Sequence, residues 1–220
     1  MMHFTDITGL AGVALTLLAL TLRLPGIKRL PAKPKLALAC VLLIALVIPF
    51  GNLSAAEFMR GVLADLSVTT LLLLLFAQRE WLVSALGFNE LSKAREQGSL
   101  LQQEASASKV VSGFIQTLIF VVIAAVVLYP FALGLGMLDP YRWGFGNIGF
   151  IAGLLLVALL AWVRHYTLLA LSVSLAVLAW SVGWYESNNI WNYLLDPWLA
   201  IYAVGALLKR AVTHRSGRKS

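Results

Sequence analysis

Apolar residues run along this chain in long blocks separated by short polar stretches. A helix rises about 1.5 Å per residue and a bilayer's hydrocarbon core is about 30 Å thick, so a crossing takes roughly 17–25 apolar residues. Seven blocks approach that length, at about 4–24, 36–53, 58–77, 110–131, 146–163, 166–185 and 190–208. The second is the weakest, with Pro49 near its end. The pattern predicts an all-α, polytopic integral membrane bundle of about seven transmembrane helices, a single transmembrane domain over 1–220. The first block lacks the basic leader of a cleaved signal, since His3 and Asp6 stand at its start with no Lys or Arg.

Composition points the same way. The 220 residues are 60% hydrophobic and 12% charged, against about 45–50% and about 25% in ordinary soluble domains. So little charge argues against a soluble enzyme, a coiled coil or a disordered linker. Cys40 is the single cysteine, so no intramolecular disulfide forms.

The net charge of +7 first has to be divided between the two sides of a membrane. With seven crossings and the N-terminus outside, all of the 17 Lys and Arg residues except Arg60 and Arg142 fall on the cytoplasmic side. The positive-inside rule then predicts an outside N-terminus and a cytoplasmic C-terminus. On this reading the basic balance attracts anionic lipid headgroups on the cytoplasmic side and does not imply nucleic acid. The expected setting is an integral position in a bacterial inner (cytoplasmic) membrane.

Between the blocks lie three basic or polar stretches. Residues 23–35 carry Arg23, Lys28, Arg29, Lys33 and Lys35 among three prolines, a stiff basic connector. Residues 78–109 place Trp81, Leu82, Ala85, Leu86 and Phe88 ahead of a charged segment, which predicts a cytoplasmic loop with an interfacial amphipathic helix starting near Arg79. Residues 209–220 form a basic tail. On the opposite side Tyr129, Phe131, Tyr141, Trp143, Phe145, Trp184, Tyr185, Trp191 and Tyr193 suggest an aromatic belt with loop packing, or an aromatic platform for an apolar or sugar-bearing ligand or for a partner helix.

Chemical motifs are sparse. The sequence has no Walker A, HExxH or CxxC pattern, and His3, His165 and His214 are dispersed, so neither a metal site nor a cofactor is expected. Gly144-Phe145-Gly146-Asn147-Ile148-Gly149 matches GxGxxG, but a dinucleotide fingerprint follows a strand, and here glycine for turning and close packing is the simpler account. Gly149 and Gly153 form a GxxxG pair, and Thr8, Gly12 and Thr16 a second small-residue stripe; both suit close helix contacts, within the chain or with another.

The candidate site is an outer polar cluster of Arg60, Asp65, Asp139, Arg142, Glu186 and Asp196. Asp65 and Asp196 each lie inside an apolar block, where a carboxylate is costly unless paired or functional. If both helices start at the outer face, the two aspartates sit at similar depth, with Arg60, Arg142 or an asparagine in reach. Pro197 should kink the last helix there. The cluster reads either as a structural clasp or as a site for ligand or catalysis. The expected function is a non-catalytic subunit or assembly partner of a cell-envelope membrane complex, with a membrane-protein partner. The alternatives are a small envelope enzyme binding a lipid or lipid-linked substrate, and a small transporter.

Overall fold

The structure is a computed structural model describing residues 4–51, 53–85 and 100–216. It is essentially all-α. In chain order the elements are α1 (Phe4–Thr21), α2 (Pro25–Lys28), α3 (Ala32–Val47), a minimal hairpin of β1 (Pro49–Phe50) and β2 (Leu53–Ser54), α4 (Ala55–Leu63), α5 (Val68–Ala85), α6 (Leu100–Ala132), a 3-10 turn (Pro140–Gly144), α7 (Ile148–Val163), α8 (Thr167–Ser181), α9 (Trp191–Leu194) and α10 (Pro197–Ser216). The chain groups into two compact units. One comprises Met1–Leu66, Thr70–Gln103 and Trp184–Glu186; the other comprises Ser67–Thr69, Glu104–Gly183 and Ser187–Ser220.

In the first unit α1 packs on α3 and α4. It also runs parallel to α5. A Cβ at Gly12 would stand 3.5 Å from Leu71, and seven residues further along each helix Gln78 Nε2 donates to the Ala19 carbonyl at 2.9 Å. The hairpin antiparallel pairing, Pro49 with Ser54 and Phe50 with Leu53, feeds directly into α4. Ser54 caps that helix: its Oγ accepts from Glu57 N–H at 3.1 Å, and Glu57 Oε2 accepts from Ser54 N–H at 2.6 Å. This reciprocal capping box satisfies two otherwise orphaned donors.

In the second unit α7 and α8 form a helical hairpin. Leu154, Ala158 and Ala161 are the buried side chains of α7, at the i, i+4, i+7 spacing of one helix face. The turn is a Schellman motif with His165 in the left-handed position (φ 61°). Tyr166 N–H reaches Ala161 O at 2.8 Å and His165 N–H reaches Trp162 O at 2.9 Å, so the last carbonyls of α7 are satisfied.

The helix lengths correct the expectation of seven crossings. Among the described residues one helix, Val110–Ala132 (23 residues), is long and apolar enough to cross a membrane. The other apolar helices are Thr5–Thr21, Val68–Arg79, Ile148–Val163 and Thr167–Ser181. At 16 residues, α7 is only about 24 Å long. The polytopic, multi-pass topology is therefore not supported. The outside N-terminus and cytoplasmic C-terminus lose their basis with it, because the charge count assumed strict alternation across seven spans.

The physical reason lies in the interruptions. The block 36–53 ends its helix at Val47, and Pro49 opens a strand. The block 58–77 is split where Ala64 takes φ 59°, ψ −171°, a region costly for a residue with a Cβ. The block 190–208 is split at Leu195 and Asp196, where Pro197 starts a new helix instead of kinking an existing one. An apolar run reports composition, not uninterrupted helix. Helix α5 continues through Arg79 to Ala85, and the remainder of the expected interfacial helix, 86–99, lies outside the described residues.

Large apolar side chains nonetheless remain on the surface. Leu133 is 80% exposed, Ile148 83% and Phe50 76%, and on α7 Leu155, Leu156, Leu159, Leu160, Trp162 and Val163 are all exposed.

Candidate functional site

The six candidate residues fall into three groups. The first centres on Arg60 of α4. Its Nε donates to Asp65 Oδ1 at 2.7 Å and its Nη2 to Asp65 Oδ2 at 3.1 Å, the bidentate fork that guanidinium and carboxylate favour. Nη1 donates to Asp6 Oδ1 at 3.3 Å and to the Asp6 carbonyl at 3.4 Å. Glu186 Oε1 stands 3.8 Å from Nη2. Three carboxylates, brought from α1, the 64–67 break and residue 186, thus meet one cation.

Gly9 makes the approach possible. A Cβ there would lie 2.7 Å from Arg60 Cζ and closer still to Asp65. Around the cluster, Thr8 Oγ1 donates to the Trp184 carbonyl, and Tyr185 Oη donates to the Leu66 carbonyl at 2.9 Å. The break in the helix therefore has its own polar partners, as burial demands.

The charges follow from these contacts. Hydrogen bonding to Asp65 raises the Arg60 pKa further and keeps it protonated. Glu186 is pushed above the usual carboxylate range, chiefly because it shares a hydrogen bond with Asp6, with Arg60 opposing. Glu57 is held below that range by the Ser54 backbone N–H. Protonation of Glu186 relieves the excess of negative charge around Arg60.

The second group centres on Asp196, 4% exposed. Its Oδ2 accepts from Ser67 N–H at 3.0 Å and from Ser67 Oγ–H at 2.7 Å, while Oδ1 accepts from Leu199 N–H at 2.8 Å. One carboxylate so caps α10 and pins Ser67. Nearby in sequence, Thr69 Oγ1 is buried and has no hydrogen-bond partner among the described residues.

The third group is a loop scaffold. Asp139 Oδ1 accepts from Arg142 N–H at 3.3 Å across the 3-10 turn. Arg142 is exposed, and among the described residues no ion pair joins its guanidinium to a carboxylate. Buried Asn189 donates to Tyr141 O at 2.9 Å and accepts from Trp191 N–H at 3.0 Å; Trp191 Nε1 donates to Pro140 O at 2.9 Å. Gly144 is where this loop closes, since a Cβ would stand 2.6 Å from Asn189 Cγ. Gly146 has φ 78°, and Asn147 caps α7 by accepting from Phe150 N–H at 2.9 Å. The GxGxxG segment is thus a turn and a helix start, and several of the aromatic side chains are spent on loop packing.

Arg60, Asp65 and Glu186 come together; Asp139 and Arg142 meet through one backbone contact; Asp196 has a partner set distinct from that of Asp65. Sequence reasoning missed Asp6, Gly9, Ser67 and Tyr185 as members. Only Gly9, beside the Thr8, Gly12 and Thr16 stripe, left a trace in the sequence, as a small residue where something must come close.

The two small-residue stripes differ. Thr8 and Thr16 are buried, and Gly12 faces Leu71 and Tyr185. On α7, a Cβ at Gly153 would meet nothing within 4 Å among the described residues, and one at Gly149 only its own neighbour Asn147. Gly149, Gly153, Leu156 and Leu160, spaced i, i+4, i+7, i+11, form an exposed face roughly opposite the one that packs on α8.

Comparison with protein-family models, with curated proteins and with solved structures finds no match.

Proposed function

We propose that the protein is a non-catalytic assembly subunit of a cell-envelope membrane complex, which docks a partner helix on the outward face of α7. The observation that carries this reading is the stripe of Gly149, Gly153, Leu156 and Leu160, which no other element covers among the described residues. Small residues four apart let two helix backbones approach closely, and leucines beside them fill the flanks. A membrane setting is supported by the Val110–Ala132 helix, of which only 33% is buried, whereas the core helix of a globular domain would be mostly buried. The Arg60 cluster supports a structural role, because its guanidinium donors are already engaged by carboxylates that hold α1, α4 and the 64–67 break together.

The test is extraction of the full chain from its own membrane in mild detergent, followed by native mass spectrometry. The reading expects a stoichiometric complex with a different protein, lost in Gly153→Leu while the helical content is kept. A monomer, a homodimer, or a complex indifferent to Gly153→Leu would contradict it.

A further inference from the structure

The first unit holds an apolar groove of about 300 Å³ along three helices, at the lower end of the range for small-molecule sites. Each helix lines it with a stretch of two turns: α1 between Leu15 and Leu22, α3 between Leu36 and Leu43, α5 between Leu71 and Gln78. That makes the groove about 10 Å long. Its lining is hydrocarbon apart from Cys40 and the Gln78 amide, which is turned to the Ala19 carbonyl at 2.9 Å.

One end of the groove is basic. Leu22 and Gln78 are lining residues at that end, and their sequence neighbours are Arg23, which is exposed, and half-buried Arg79; Lys35, next to Leu36, is buried. Arg79 lies with its guanidinium 4.1 Å from the Phe76 ring. The connector that closes this end adds exposed Lys28, Arg29 and Lys33, and no acidic residue occurs between Asp6 and Glu57. Asp6 and Asp65 lie instead at the other end of α1, around Arg60, and Glu80 follows Arg79 in the sequence.

We propose that this groove binds one acyl chain of an anionic phospholipid, with the phosphate headgroup seated on the Arg23 and Arg79 end. A hydrocarbon trough ending in a cationic collar matches an amphiphile with an apolar tail and a negative head, and a zwitterionic lipid gains no net attraction from the collar. Long basic side chains suit the role, since their stems lie along apolar surface while the charge reaches the headgroup. The groove uses no residue of the α7 face, and the proposal does not depend on the assembly reading.

Cys40, the only cysteine, lines the groove and is exposed, so its thiol reports occupancy. The experiment follows its alkylation by N-ethylmaleimide in the full chain, in phosphatidylcholine vesicles with and without phosphatidylglycerol. Phosphatidylglycerol should protect Cys40, and the lipid concentration needed should rise about fivefold for each cation removed in Arg23→Gln and Arg79→Gln. Circular dichroism checks that both variants keep their helices. Native mass spectrometry should find phosphatidylglycerol retained by the wild type and depleted in the double variant. Equal protection by both lipids, protection indifferent to the two substitutions, or no protection would overturn the proposal. Protection by oleate but not by phosphatidylglycerol would overturn it in favour of a free fatty acid.

Discussion

Helices α1 and α7 both carry small residues at four-residue spacing, yet one stripe is closed and the other open. Along α1, Thr8, Gly9, Gly12 and Thr16 let Arg60, Asp65, Leu71 and Tyr185 come close. Along α7, Gly149 and Gly153 meet no other element among the described residues. The same motif therefore does opposite work: in α1 it holds the chain's own elements together, and in α7 it leaves an approach free. What distinguishes them is the polar chemistry beside each stripe. Asp6, Arg60 and Asp65 give α1 a directional clasp, whereas α7 presents only hydrocarbon.

The largest effect should come from adding one methyl group to the closed stripe. Gly9→Ala displaces the ends of the Arg60 and Asp65 side chains and should cost about 1 kcal/mol net of what alanine gains over glycine in a helix, seen as a lower unfolding temperature in detergent. Combined with Arg60→Ala it should cost less than the sum, because both changes break the same contact. Full additivity would mean that Gly9 and Arg60 do not act through each other.

The open stripe should respond with the opposite sign. Gly153→Ala fills empty space and removes backbone freedom from a helix, so it should stabilise the isolated chain by about 0.5–1 kcal/mol. The same change should weaken association with a partner. A loss of stability would place a covering element over Gly153 and end the contrast.

Smaller effects separate the two carboxylates flanking the clasp. Glu186 has a raised pKa, so its contribution is complete below the ordinary glutamate value and is lost as pH rises through the folded value. Glu57 has a lowered pKa, so its contribution is present above the ordinary value and is lost as pH falls through the folded one. Unfolding of Glu186→Gln and Glu57→Gln across acidic pH should show each variant flattening its own limb. Identical profiles for the two would remove the assigned hydrogen bonds.

Much of the helical content was legible in the sequence, and 110–131 matches the apolar part of α6 closely. What composition could not convey was where helices stop. The breaks at Ala64 and at Leu195 are held by partners far away in sequence, Ser67 with Asp196 and Leu66 with Tyr185, whereas Pro49 turns the chain into a local hairpin with Ser54. Counting spans from apolar length, and sidedness from spans, carried that gap into the topology. Asp65 was legible beside Arg60 because an acid in an apolar block needs a cation. Glu186 was added only through its assigned side of the membrane, and Asp6, placed on the same side, was not connected to Arg60, which lies 54 residues away in sequence. The depth argument that joined Asp65 to Asp196 assumed two unbroken helices, and both residues lie at breaks.

The assignment of the α7 face is tested most directly by a photo-crosslinking side chain at Leu156, with Val126 on the exposed surface of α6 as the control. In intact membranes, Leu156 should yield one discrete adduct with a different protein, abolished by Gly153→Leu, while Val126 yields lipid adducts alone. Lipid adducts alone at Leu156, or an adduct with a second copy of the chain, would contradict the account.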